Sequence, residues 1–170
     1  MIKILMGKSA SGKDYYLKQF LSQEENRGYQ RVVTYTTRPK RTNEVNGIDY
    51  NFIDKEEFIT LLELGYIIEY RKYKTNKGIW YYGTPALDED ENYIMIADFT
   101  GAKKLIEAYG IRNVTLYYVV ASDETRIKRA MSRGSYDEVE WNRRYLADNN
   151  DFTIEKMARL GVGVNFIYND

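Results

Sequence analysis

The sequence predicts an α/β fold in which a parallel core sheet flanked by helices carries an antiparallel insert and a helical lid. Three observations lead there. A short apolar run at the start passes through a glycine-rich turn into a helical pattern. The unbroken apolar run 93–97 and the run 114–120 suit buried strands and alternate with helices, as a parallel sheet requires. Between the first unit and those runs, residues 34 to about 87 carry short alternating strands and a hairpin.

Taken in order, Ile2–Met6 reads as a buried strand, and Tyr15–Leu21 repeats apolar residues at helical spacing before a polar exit that ends at Gly28. Residues 31–36 read as one strand, followed by a polar loop, 37–47, long enough to demand a function. Asp49–Ile53 alternates strictly. Asp54 with Glu57 forms a capping box for a helix over 55–64, which Gly65 stops. A hairpin, 66–74 with 79–83, turns at Thr75-Asn76-Lys77-Gly78. After the strand 93–97, a helix over 100–109 closes at Gly110, and Val114–Val120 is another strand. Ser122 caps a helix whose exposed face carries Arg126, Lys128, Arg129 and Arg133; residues 137–149 are helical again. A short helix near 153–160 leads to a last strand, 162–168. The expected division is a core of about 1–33, 88–125 and 151–170, an insert at 34–87 and a lid at about 126–150.

Composition narrows the chemistry. At 170 residues the chain is most simply one domain. Lys plus Arg and Asp plus Glu both number 25, so no bulk charge advertises nucleic acid or a membrane surface as partner. Cysteine and histidine are absent, which excludes disulfides, thiol nucleophiles, Cys/His metal sites and imidazole acid–base catalysis. Chemistry must run on carboxylates, Lys, Arg, hydroxyls and an oxygen-held metal. No apolar leader or membrane-length run is visible, so a cytoplasmic location is the expectation. The seventeen tyrosines suit an amphipathic core and rim.

The turn Gly7-Lys8-Ser9-Ala10-Ser11-Gly12-Lys13-Asp14 fits G-x-x-x-x-G-K between a strand and a helix. Its glycines let successive N–H groups converge on a phosphate, the helix N-terminus adds partial positive charge, and Lys13 reaches the outer phosphates. Asp14 stands where Ser or Thr offers a hydroxyl to Mg²⁺; a carboxylate is also a hard oxygen ligand, and it equally complements the first turn of the helix dipole. In the loop, Arg38 and Arg41 flank the stiff Pro39, with Tyr50 on the returning strand. Two guanidiniums so held suit a phosphate clamp, and a tyrosine hydroxyl supplies a further donor.

Thr36-Thr37-Arg38-Pro39-Lys40-Arg41 followed by Glu44-Val45-Asn46-Gly47-Ile48-Asp49-Tyr50-Asn51-Phe52 resembles the nucleotide-binding signature of guanylate kinases. Ile68-Glu69, Tyr81-Tyr82-Gly83-Thr84, Asp98-Phe99-Thr100-Gly101 and Arg133-Gly134 continue the resemblance in family order. It spans residues 1 to about 169, strongest over 34–84 and weaker after 120. It implies a P-loop kinase that moves the γ-phosphoryl of ATP, with Mg²⁺, onto GMP or dGMP. The P-loop residues Gly7, Ser9, Ala10, Ser11, Gly12, Lys13 and Asp14 would bind ATP, with Asp14 as the candidate metal ligand. Arg38, Arg41, Tyr50 and Tyr82, with Glu44 nearby, match the ligands of the acceptor phosphate. Glu69 and Asp98 match the carboxylates that read guanine N1–H and its exocyclic amine, and Thr34 and Thr84 the hydroxyls facing its O6 and N7 edge. Arg133 and Arg144 match the lid arginines that neutralise the transferring group; with Lys13 and Arg38 they form the expected catalytic set.

Three positions depart from the family pattern. Asp14 replaces a hydroxyl, Ile96 stands where many members carry a further carboxylate, and the sequence ends at Asn169-Asp170 where the family usually continues into a closing helix. A sheet face left open there would be covered by a second copy, so a homodimer is an expectation. Two other readings remain. The ribose 1,5-bisphosphate kinases also carry Gly-Lys-Asp in the P-loop, but do not need Glu69, Thr34 and Thr84 together. A non-catalytic guanylate-kinase-like binding module would have lost Lys13 or the glycines, and both are present.

Overall fold

The computed structural model describes residues 1–75, 77–132, 134 and 136–170. Within it the chain forms two compact units, Met1–Gln30 with Asn92–Asp170, and Arg31–Glu91.

The first unit is built on a five-stranded sheet of order β2-β7-β1-β8-β9. Its strands are β1 (Ile2–Met6), β2 (Tyr29–Arg31), β7 (Asn92–Ile96), β8 (Val114–Val120) and β9 (Val164–Tyr168). β1 pairs in parallel with β7 and β8, and β8 in parallel with β9. The apolar runs behave as a doubly covered sheet demands: Ile4, Leu5, Ile94, Met95, Leu116 and Val119 are all buried. Leu5, Leu17, Ile94 and Val119 form one cluster, and Tyr16, Phe20 and Tyr117 pack against it with Phe20 edge-on to Tyr117. Some tyrosines thus serve the core while others, such as Tyr15, Tyr66 and Tyr168, stay exposed, and burial pushes the Tyr118 hydroxyl up to about 12.

Helices α1 (Lys13–Ser22), α3 (Phe99–Tyr109), α4 (Asp123–Ser132), α5 (Glu138–Asp151) and α6 (Ile154–Ala158) complete this unit. Their starts follow the capping logic. Asp98, Asp137 and Thr153 each accept a hydrogen bond from a first-turn backbone N–H, and Ser122 Oγ accepts from Thr125 N–H.

The second unit carries a four-stranded sheet of order β4-β3-β6-β5, made of β3 (Tyr35–Thr36), β4 (Asn51–Phe52), β5 (Ile67–Thr75) and β6 (Gly78–Pro85), with α2 (Lys55–Glu63). The expected capping box is present, with Asp54 Oδ1 accepting from Glu57 N–H at 2.8 Å. Two details differ from the sequence reading. Residues 31–36 are not one strand: β2 lies in the first sheet and β3 in the second, with 32–34 outside either ladder. The β-branched run has strand propensity throughout, but each end finds a different partner, and tertiary pairing decides. The insert sheet is antiparallel across β3–β6 and β5–β6, while the two-residue β3–β4 ladder is parallel. Asn76, in the expected hairpin turn, lies outside the described residues.

Gly83 lets Phe58 and Ile67 meet under β6. A Cβ there would lie 2.7 Å from Ile67 Cγ2 and 2.8 Å from the Phe58 ring, both in buried side chains. Gly83→Ala should therefore destabilise the protein by about 1–3 kcal/mol through overpacking, read as a lower urea midpoint. An unchanged midpoint would mean that the ring and the isoleucine simply move aside.

Candidate active site

The P-loop lies between β1 and α1, and its backbone explains its glycines. At Gly7 (φ 153°) a Cβ would sit 2.6 Å from Val119 O and 2.7 Å from Ser11 Oγ. At Gly12 (φ 99°) it would sit 2.2 Å from Asn169 Nδ2. Ala10 is left-handed without being glycine, at φ 61°. Lys13 Nζ folds back and donates to Gly7 O at 2.8 Å and Lys8 O at 3.0 Å. A phosphate entering the loop offers the same ammonium a better, charged acceptor. Gly12, Asp14, Tyr15, Arg129 and Asn169 line a cavity of about 370 Å³ beside the loop.

Asp14 is a hard carboxylate on that cavity wall, in the first turn of α1. Among the described residues no group of three or more acidic side chains gathers to hold a metal. One carboxylate fits Mg²⁺, which keeps most of its shell as water and substrate phosphate.

The arginines expected in the lid separate into different environments. Arg126 is not a lid group: it is wholly buried, donating to Ser9 O at 2.9 Å and pairing with Asp123 and Asp148. Its place on a polar helix face gave no sign of this, because two of the three partners, Ser9 and Asp148, come from other segments. Arg129 Nη1 donates to Ser11 O at 3.3 Å. Arg143 and Arg144 both engage Glu140 through hydrogen bonds of 2.8 Å, so the intrahelical pair 140–144 forms. Arg133 lies outside the described residues.

Hydrogen bonds from Arg143, opposed by partial burial and reinforced by Arg144, hold the Glu140 carboxyl down at about 2 from its ordinary 4.5. A carboxyl depressed in the folded state stabilises it above the ordinary value, and the contribution is lost as pH falls toward about 2. Both arginines are partly exposed, so the full effect should be under about 1 kcal/mol. Denaturation midpoints of wild type and Glu140→Gln should differ at neutral pH and converge in acid. A gap that widened in acid would contradict this ion pair.

In the insert, Glu44 proves to be a brace. Its carboxylate takes a forked pair from Arg38 (2.7 and 2.9 Å) and a third hydrogen bond from Arg41 N–H at 2.8 Å. Burial opposes charge on both partners, yet their hydrogen bonds prevail and hold Glu44 below and Arg38 above their ordinary values. Arg38 also lies 5.4 Å over the Tyr50 ring, and Tyr50 meets Tyr82 edge-on at 5.9 Å. Arg38, Glu44, Tyr50 and Tyr82 are thus gathered, with the Arg41 backbone tied to the same carboxylate. Thr34 sits at the root of the loop, its carbonyl accepting from Asn51 N–H at 2.9 Å.

Glu69 is 4% exposed. Its Oε1 accepts from Thr84 Oγ1 at 2.5 Å and from Arg71 Nη2 at 3.2 Å, while its buried Oε2 has no hydrogen-bond partner. A buried carboxylate oxygen left so is costly unless a ligand completes it. Thr84 is fully buried, and β5 pairs Glu69 with it directly across the ladder. Asp98 belongs to the other unit, where its Oδ1 caps α3 by accepting from Gly101 N–H at 2.8 Å. Sequence reasoning missed Asn169 and Asp148, which touch the P-loop across 158 and 139 residues and carry no motif of their own.

Among the described residues no helix is long and apolar enough to cross a membrane. The family model "Guanylate kinase" matches residues 2–153. A chloroplastic/mitochondrial guanylate kinase 2 of Oryza sativa is 36% identical over 139 residues, 78% of this chain and 47% of that protein. Guanylate kinases of Mycoplasmoides gallisepticum and Clostridioides difficile are each 30% identical, over 81% and 85% of this chain and 71% and 70% of their own. This chain therefore spans from about half to seven tenths of the length of these curated relatives. The fold matches a crystal structure of guanylate kinase from Anaplasma phagocytophilum with a TM-score of 0.63, at 22% identity, over 100% of this chain and 77% of that one. With the family model covering most of its length, the chain belongs to the guanylate kinase family.

Proposed function

We propose that the protein is a guanylate kinase, transferring the γ-phosphoryl of Mg·ATP to GMP or dGMP to give ADP and the nucleoside diphosphate. The observation that carries the reading is Glu69, whose buried, unpartnered Oε2 sits beside an oxygen already held by Thr84. Guanine presents two adjacent donors, N1–H and its exocyclic amine, whereas adenine presents a ring acceptor there. A fixed carboxylate selects the first and leaves unpaired groups with the second. Asp98 is the second carboxylate of this reading, and Thr34 and Thr84 face the O6 and N7 edge.

The donor binds in the P-loop, Gly7 through Asp14, with Lys13 turning from its loop carbonyls to the outer phosphates. Asp14 would hold Mg²⁺, which would neutralise charge on the phosphates. Arg38, Arg41, Tyr50 and Tyr82 hold the acceptor phosphate, and Glu44 keeps Arg38 aimed. Arg133 and Arg144 close over the transferring group as part of a lid that excludes water. Release of Arg144 from Glu140 is then a step of closure. The acceptor is already an anion, so no general base is needed. Its substrates being dissolved nucleotides, the proposal includes a cytoplasmic location.

ADP release from Mg·ATP, with GMP, dGMP, AMP, dTMP and ribose 1,5-bisphosphate supplied separately, tests the reading. Turnover confined to GMP and dGMP is expected. Turnover of the sugar bisphosphate, or of no acceptor, would remove it.

A further inference from the structure

The buried Arg126 has no part in the reaction just described, yet every nitrogen of its guanidinium is engaged. Nε donates to Ser9 O at 2.9 Å, Nη1 to Asp123 Oδ1 at 2.7 Å and Nη2 to Asp148 Oδ2 at 3.0 Å. The same Asp148 oxygen accepts from Ser9 N–H at 2.7 Å. Residue 9 of the P-loop is therefore gripped on both its N–H and its C=O by one ion pair. The indole of Trp141 and the ring of Tyr145 pack over the guanidinium at 5.6 and 5.7 Å, and Tyr145 OH fixes Asp123 at 2.7 Å. Next door, Lys8 Nζ reaches Asn149, and Ser11 O accepts from Asn169 Nδ2 at 2.8 Å and Arg129 at 3.3 Å.

Between those two anchored carbonyls, of Ser9 and Ser11, sits Ala10 with its positive φ. A left-handed alanine persists only where its surroundings over-determine it. An ion pair around a wholly buried arginine is poor at stabilising a fold, since apolar side chains of like volume serve as well or better. It is good at holding a peptide in one orientation, because a planar fork fixes direction as well as distance.

We infer that Arg126 and Asp148 are positioning residues for the phosphate cradle, clamping the Ser9 peptide so that the loop N–H groups converge before the donor arrives. The clamp is carried on α4 and α5, so it also ties the arginine-bearing helices to the loop they serve. The inference rests on the phosphate-binding reading of that loop, not on the identity of the acceptor.

The test uses Asp148→Ala and Asp148→Asn, the second of which keeps an oxygen for Ser9 N–H. Mg·ADP is titrated calorimetrically without acceptor, KM for ATP and kcat are measured separately, and Tm is followed alongside. Asp148→Ala should weaken Mg·ADP and raise KM for ATP by about tenfold, with kcat changed less than about threefold. Asp148→Asn should recover most of the loss. In the nucleotide-free protein, the Ser9 amide should exchange slowly in wild type and fast in Asp148→Ala, so the clamp is judged even if GMP proves not to be the acceptor. A lowered Tm with unchanged ADP affinity would reduce the pair to a packing element, and tighter ADP binding would make Asp148 a competitor of phosphate. Either result, or equal Ser9 exchange, overturns the inference.

Discussion

Replacing Lys13 with methionine is expected to lower kcat/KM by about a thousandfold, roughly 4 kcal/mol of transition-state stabilisation. Phosphoryl transfer leaves little covalent work to the protein, and positive charge placed at the moving group supplies much of the catalysis. Lys13 follows the second P-loop glycine directly, and its ammonium already lies over the loop, 2.8 and 3.0 Å from two carbonyls. Moving from a neutral carbonyl to a phosphate oxygen gains a charge-assisted bond at little cost in order. The side chain is only half-buried, so Tm should shift by a few degrees at most. A loss below about tenfold would mean that another cation takes its place.

Glu69→Gln should be the next largest change, lowering kcat/KM for GMP by about a hundredfold to a thousandfold, roughly 3–4 kcal/mol. The glutamine keeps the volume and one acceptor. It puts an NH₂ against a guanine donor if its oxygen stays with Thr84 Oγ1, as Oε1 does now. If the amide flips, the threonine hydroxyl loses its acceptor instead. Neither arrangement satisfies both, and buried unmet donors are what specificity is built from. The ratio of GMP to AMP turnover should therefore narrow sharply while KM for ATP holds. Equal losses for both acceptors would show a folding defect at Arg71, which also leans on this carboxylate.

What the sequence showed and what it hid differ by range. The P-loop was legible because glycine spacing between a strand and a helix is a local constraint, as was the capping residue Asp54. The Glu140–Arg144 pair spans four residues of one helix, a spacing that by itself allows it. Arg126 was misplaced for the opposite reason. On its own helix it sits among charges and reads as solvent-facing, and the Ser9 carbonyl and Asp148, from distant segments, join Asp123 to make its burial tolerable. Glu44 was read as standing near the acceptor phosphate, and the grip of its carboxylate on Arg38 is a contact that no periodicity announces. The split of residues 31–36 between two sheets was hidden too, because strand propensity does not say which edge a strand will join.

The central claim is transfer to a guanine nucleotide, and phosphorus NMR of Mg·ATP with GMP and the wild-type protein tests it most directly. The account predicts that the phosphate signals of GDP and ADP grow together in equal amounts, with no inorganic phosphate. Inorganic phosphate growing with ADP while GMP stays unchanged would contradict it, leaving a P-loop hydrolase whose acceptor site does something else.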